Sequence, residues 1–390
     1  MKKYTFLLIL LLGVVVTVTG CWDQIELDKR AIIMAVGIDK AEEAGKITLT
    51  FQSIIPSRLT DSMRGGEKGR AVRVISTSGM TILEATKIYQ QQTDAIPYFL
   101  HNRLLIIGEE LARDGITPII DYFIRNLQSQ SRAWVLISKG QAANVVKWQS
   151  EVNQIPADYI ADLLYSSTRQ AISAFVTEDI HRFILKLSSP STSPATSGIE
   201  IVQERTEEPP EVRIFGTAVF KRDKLVRWLG LRETRGLLWT TNKSNQGILE
   251  IGYPDRQKRN VVEQVTKSSS KITPQIKNGR VEFKIAVLEE GNIGEQDGSL
   301  LLTNQGMIPA LEKRTSAEIR AEVESCLKKC QNEFHADIFG FGEEVERKFP
   351  QAWKKLQKSW DQEFPTIKVV VAVKAKIRGT SIITDPINLR

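Results

Sequence analysis

Three histidines in 390 residues leave little imidazole for chemistry. His101, His181 and His335 stand far apart, and none lies in an H-E-x-x-H or other paired metal-ligand spacing. No G-x-S-x-G elbow occurs. A Ser-His-Asp triad stays open on sequence alone, because its members can be distant. Two S-x-x-K pairs, Ser268 with Lys271 and Ser325 with Lys328, have no K-T-G to converge with. Cysteine is as scarce: Cys21, Cys326 and Cys330 cannot staple a chain of this length. No apolar run reaches the roughly 20 residues of a membrane-spanning helix. No RNP, zinc-finger or helix-turn-helix signature appears, so no nucleic-acid partner is expected.

The composition that is present, 42% hydrophobic and 25% charged, is that of a globular protein with enough chain for two or three domains. The most informative stretch is the first. Lys2 and Lys3 precede an apolar run from Phe6 to Val18, broken only by Gly13 and Thr17, and Thr19-Gly20-Cys21 closes it. That length suits a signal-peptide h-region. Val18-Thr19-Gly20-Cys21 is similar to the lipobox of bacterial lipoproteins, in which a cysteine is acylated and the bond before it cleaved. Residues 1–20 are therefore expected to be a signal peptide cut between Gly20 and Cys21, with Cys21 as the lipidation site and 21–30 as a tether. One acyl chain holds a protein only marginally, so a diacylglyceryl anchor or a second contact is expected. The net charge of +7, two of it from the leader lysines, suits an anionic membrane surface.

Beyond the tether, 31–187 reads as an N-terminal α/β domain that can subdivide. Strands are expected at Ala31–Asp39, Ile47–Ile55, Ala71–Ser76, Arg103–Gly108 and Ala133–Ser138, with helical patterns between and after them. Glu109-Glu110 sits where a helix would start, at the positive end of its dipole. Ser188 to Ser197 is almost all Ser, Thr, Pro and Ala, and Glu207 to Pro210 is a second polar break, so 188–211 is read as a linker. The C-terminal domain, 212–390, begins with a hairpin turning at Arg222-Asp223, then a helical patch at Glu233–Trp239. Strands at Val261–Val265 and Val281–Leu288 follow, the second entered through Asn278-Gly279. Helices are expected from an N-cap at Ser316 to Asn332 and from Glu343 to Trp360. A half-exposed strand, Ile367–Arg378, alternates apolar residues with Lys368, Lys374, Lys376 and Arg378. The fold class expected is α+β: several domains, mixed β-sheets flanked by helices, and no known enzyme superfold.

Two other features invite chemistry and are better read otherwise. Cys326 and Cys330 fall on the apolar stripe Ile319, Val323, Cys326, Leu327, Cys330, Phe334, where a thiol behaves as a small hydrophobe. Gly65-Gly66-Glu67-Lys68-Gly69-Arg70 lacks the P-loop spacing and joins two strands instead of opening a helix, so it is expected to be a surface loop.

Several short stretches together resemble the C subunits of spore germinant receptors, the Ger(x)C family. They are the lipobox with Cys21-Trp22-Asp23, Ala35 to Asp39, Ile107 to Arg113 with Ile119 to Arg125, Trp134-Val135-Leu136, Gly216 to Phe220, Glu233 to Trp239, Asp337 to Gly342, and the Trp353/Trp360 helix. Asn126 to Ser131 departs from the pattern in being rich in Ser and Gln. The resemblance implies a non-catalytic lipoprotein subunit of a nutrient receptor that triggers germination, built from three α/β-type domains. It implies a position on the outer face of the spore inner membrane and assembly with A and B membrane subunits. No cofactor is implied beyond a covalent diacylglycerol or palmitoyl anchor on Cys21. Glu233, Arg235, Trp239, Phe339 and Phe341 are candidates for a partner surface, with packing inside the second domain the competing assignment that aromatic residues favour. A second function, from another class, is a solute-binding lipoprotein of a transporter.

Overall fold

The computed structural model describes residues 3–5, 29–55, 71–93, 95–125, 132–169, 175–203, 205, 207–243, 247–252, 260–296 and 306–379. Cys21, the tether through 28, the Gly65–Arg70 loop and 126–131 lie outside the described residues.

The first half is built on one mixed sheet. Its strands are β1 (Arg30–Lys40), β2 (Ile47–Ile54), β3 (Val72–Gly79), β4 (Ile96–Tyr98), β5 (Leu104–Gly108), β6 (Trp134–Ser138), β7 (Ala195–Val202), β8 (Glu211–Lys221) and β9 (Lys224–Leu229). They run in the order β3-β2-β1-β5-β6-β7-β8-β9, with the short β4 added to β1. The centre from β1 through β7 is parallel, and both flanks are antiparallel. Parallel strands need both faces covered, and Leu104-Leu105-Ile106-Ile107 shows how. Leu105 and Ile107 point into one apolar layer, under α1 (Ile82–Thr93), α2 (Glu109–Asp114), α3 (Thr117–Arg125) and α6 (Ile180–Leu187). Leu104 and Ile106 point into the opposite layer, under α4 (Ala142–Lys147) and α5 (Pro156–Arg169).

The segment 188–211, expected as a linker, contains β7, which is hydrogen-bonded between β6 and β8. The expected boundary at 212 thus falls inside one continuous sheet. Small hydroxyl residues mislead here because those of β7 are satisfied internally. Thr196 Oγ1 donates to the Val135 carbonyl at 2.6 Å, and Ser197 Oγ to the Val176 carbonyl at 3.1 Å. A buried strand can hold such residues once their polar atoms are paired.

The second sheet has the order β10 (Gly247–Gly252), β11 (Asn260–Lys277), β12 (Arg280–Gln296), β13 (Lys368–Gly379). β11 and β12 are much longer than expected. Asn278 and Gly279 both take positive φ, 50° and 77°, the geometry that closes a two-residue hairpin. One face of this sheet is covered by α8 (Met307–Lys329), α9 (Phe341–Lys348), α10 (Pro350–Leu356) and α11 (Trp360–Glu363). The helix expected to start at Ser316 begins at Met307, since Pro309 fits a first turn. Ser316 lies inside it, donating to the Glu312 carbonyl at 2.7 Å. The helix expected over Glu343–Trp360 is broken at Phe349 (φ −133°, ψ 62°), ahead of Pro350. A single apolar cluster joins the two sheets through α7 (Leu231–Thr240), with Val219 and Leu229 on one side and Phe283 and Ile285 on the other. The architecture is α+β.

Candidate functional site

The stretches singled out in the sequence turn out to hold elements together. Asp39, at the end of β1, accepts from the Ala142 and Ala143 amides at 2.7 and 2.8 Å and so caps α4 from a different strand. Burial raises its carboxyl pKa, and the two amides counter this. Gly37 lets α4 approach, since a Cβ there would lie 2.9 Å from Val146. A side chain at Gly108 would collide with the Asp39 carboxylate.

Asp337 does the same for the second half. Its carboxylate accepts from the amides of Phe339, Gly340, Phe341 and Gly342 at 2.9–3.2 Å and from the Trp360 indole at 3.2 Å. Burial nevertheless lifts it to about 6. Gly340 takes φ +79°, and Gly342 lies flat against Ser191, whose carbonyl would be 2.9 Å from an added Cβ.

The patch in α7 is a helix-to-helix joint. Gly236 lies against the Glu322 backbone of α8, leaving no room for a Cβ. Glu322 is wholly buried and is held by Arg235 and by the Trp239 indole at 2.9 Å. Burial raises its pKa against those partners. Glu233 accepts from Lys329 at 2.7 Å and Ser325 at 3.2 Å. Thr217 and Thr234 share a hydroxyl–hydroxyl bond of 2.8 Å that ties β8 to α7.

This corrects the expected partner surface. Trp239, Phe339 and Phe341 are buried, Phe341 stacked on Phe283 with ring centroids 4.3 Å apart. Glu233 is nearly buried, and the partly exposed Arg235 turns inward to Glu322. Large aromatic residues gain more from the core than from water, and the charged pair follows them in.

One group missed in the sequence lies where the halves meet. Glu178 is buried, and Lys186 of α6 and Lys243, beyond α7, reach it at 2.8 and 2.7 Å. Burial alone would raise its pKa; the two ammonium groups outweigh that and hold it below the usual range. Lys243 is depressed by its own burial. The three line a cleft of about 490 Å³ with Arg182, Leu237 and Phe339. No local spacing announces the trio, because the partners come from three segments.

Neither S-x-x-K pair forms a catalytic pair among the described residues. Ser268 and Lys271 occupy opposite faces of β11, Ser268 paired with the inward Glu289 and Lys271 with Ala286. Ser325 is engaged by Glu233. Cys326 and Cys330 are free and fully buried, and burial pushes the Cys330 thiol up. Among the described residues no three His, Cys, Asp or Glu side chains group to hold a metal ion, and no helix is long and apolar enough to cross a membrane.

Comparison with known proteins finds relatives over nearly the full length of the chain. The family described as "Spore germination protein N-terminal domain" matches residues 23–201, and "Spore germination B3/ GerAC like, C-terminal" matches 215–381. Spore germination protein KC of Bacillus subtilis (strain 168) is 28% identical, with 99% of this chain and 98% of that protein aligned. Spore germination protein B3 of the same organism is 24% identical over 93% of both chains. A solved structure, "Crystal Structure of the GerBC protein", shares the fold with a TM-score of 0.58 at 19% identity, covering 88% of this chain and 96% of that one. The two family models together span most of the sequence, and the chain belongs to the Ger(x)C family of spore germination proteins.

Proposed function

We propose that this chain is the non-catalytic C subunit of a germinant receptor, anchored as a lipoprotein on the outer face of the spore inner membrane. In this role Cys21 carries the diacylglyceryl or palmitoyl group, and the folded body presents surfaces to A and B membrane subunits. The observation that carries the proposal is the use of the motif residues. Asp39, Gly236 and Asp337 are all spent on joining elements, Gly236 against the buried Glu322 of α8, which suits a scaffold. The names of the relatives, spore germination proteins KC, B3 and A3, support the germination role.

The test is made in spores lacking the gene, complemented with the unmodified chain or with Cys21→Ala. Germination is followed as loss of optical density after adding amino acids and sugars. One nutrient response should vanish with the gene, return with the unmodified chain and fail with Cys21→Ala. Full germination of gene-deleted spores to every nutrient, in a strain stripped of other receptors, would sink the proposal.

A solute-binding lipoprotein of a transporter has the 490 Å³ cleft between the halves in its favour. Such proteins close two similar lobes on a ligand, and here a nine-stranded mixed sheet meets a four-stranded one. A nutrient that raises the melting temperature of the purified chain would favour this second function.

A further inference from the structure

Among the described residues the four-stranded sheet has helices on only one face, and the other, open face is arranged in cross-strand rows. Lys267, Glu290 and Lys376 form one row; Ser269, Leu288 and Lys374 the next. Then come Lys271, Ala286 and Ala372, followed by Thr273, Lys284 and Val370, and finally Gln275, Glu282 and Lys368. Each row thus brings at least one lysine to the surface. The carboxylates among them are engaged: Glu290 with Arg378 at 2.7 Å, and Glu282 between Lys277 and Lys368 at 3.7 and 4.0 Å. Glu250 and Glu295 stand apart, at the β10 corner. Among the described residues, Lys267, Lys271, Lys284, Lys374 and Lys376 have no carboxylate within ion-pair distance. Between the lysines, Leu288 is 53% exposed and Val370 48%.

From this we infer that the open face of β11, β12 and β13 docks on an anionic phospholipid bilayer, its lysines against phosphate headgroups and Leu288 and Val370 against the acyl boundary. Charge complementarity selects an anionic occupant. The arginine that β13 brings to this face, Arg378, is engaged by Glu290, so the charge these rows leave to an occupant is that of lysines, point charges suited to a diffuse anionic plane. Strand addition at the C-terminal part of the β13 edge is already blocked. The Ala375 amide donates to Ser316 Oγ at 2.9 Å and the Ile377 amide to Glu312 at 3.1 Å, both from α8. The inference rests on the proposed membrane location and supplies the second contact that an acyl anchor needs for stable attachment.

The test places an environment-sensitive thiol dye at Leu288→Cys in the full acylated chain reconstituted in vesicles. Cys326 and Cys330 are buried and stay unlabelled. The emission should shift to the blue in vesicles containing phosphatidylglycerol and not in pure phosphatidylcholine. High salt, which shortens electrostatic reach to about 3 Å at 1 M, should reverse the shift. Lys267→Gln/Lys374→Gln/Lys376→Gln should weaken the contact about a hundredfold, at about fivefold per lysine. A dye at the exposed Leu83→Cys in α1 should not respond. No shift in anionic vesicles, or a shift that survives the triple substitution, overturns the inference. So does cross-linking from position 288 in spore membranes to a protein in place of lipid. Acylation is read separately, from the mass of the N-terminal peptide. An acylated chain without contact at position 288 therefore refutes the face alone, and contact without acylation refutes the anchor alone.

Discussion

Glu263 and Glu289 face each other between the four-stranded sheet and α8, 0% and 1% exposed, with no lysine or arginine paired to either among the described residues. Thr315 donates to Glu263 Oε2 at 2.6 Å, the Lys376 amide acts on Glu289, and among the described residues no other well-formed hydrogen bond reaches the pair's remaining oxygens. Gly291 makes the space, since a Cβ there would lie 2.5 Å from Glu263 Oε1 and 2.8 Å from Glu289 Oε1. A proton shared by the pair is the natural bridge. Burial first, and then the charges of Glu263 and Glu290, push Glu289 up to about 8.

The folded chain therefore keeps a proton at Glu289 that the unfolded chain gives up near pH 4.5. Stability from this group is complete below pH 4.5 and is lost as pH rises towards 8, at about 1.4 kcal/mol per pH unit for a single group. Glu289→Gln keeps the shape and removes the titration. Its melting temperature should exceed the parent's at pH 8 and converge with it at pH 5. Parallel curves for the two proteins would show that the pair does not hold a proton.

At Glu178 the sign is opposite. Its depressed pKa supplies stability above the ordinary glutamate range that is lost as pH falls through the folded value. Lys186→Met with Lys243→Met strands a buried carboxylate and should cost about 3–5 kcal/mol, read by denaturant unfolding. Adding Glu178→Gln to the pair should recover much of the loss. Absence of that recovery would mean the lysines act elsewhere.

Asp337→Asn replaces one acceptor oxygen with a donor that confronts backbone amides. A loss of about 2–4 kcal/mol is expected, with protease cleavage appearing first around Phe339–Gly342. Unchanged stability would show that the carboxylate does not organise this turn.

Gly236→Val drives a branched side chain into the Glu322 backbone. The α7–α8 joint should open, and the buried Cys326 and Cys330 should begin to react with thiol reagents in the native protein. Thiols that stay inert would contradict the proposed role of this glycine.

What could be read in the chain beforehand was local. The β13 alternation, the Asn278-Gly279 hairpin and the acidic start of α2 after Gly108 are short-range patterns, and the structure has all three. The stripe that holds Cys326 and Cys330 likewise faces the core. What escaped depends on distant partners. β7 is a strand because Val135 and Val176 satisfy Thr196 and Ser197. Glu178 is intelligible only beside Lys243, and Asp39 only beside Ala142. The aromatic residues around Trp239 and Phe341 were open to two assignments because a motif shared with a family marks packing as readily as contact.

The most direct measurement of the central claim is purification of a tagged copy of the unmodified chain from detergent-solubilised spore membranes, with intact-mass analysis of everything that comes with it. The expected result is two polytopic membrane proteins in stoichiometric amounts, and a chain whose mass corresponds to a start at Cys21 with covalent lipid. A chain recovered alone, unlipidated and with its leader intact, would contradict a lipid-anchored receptor subunit.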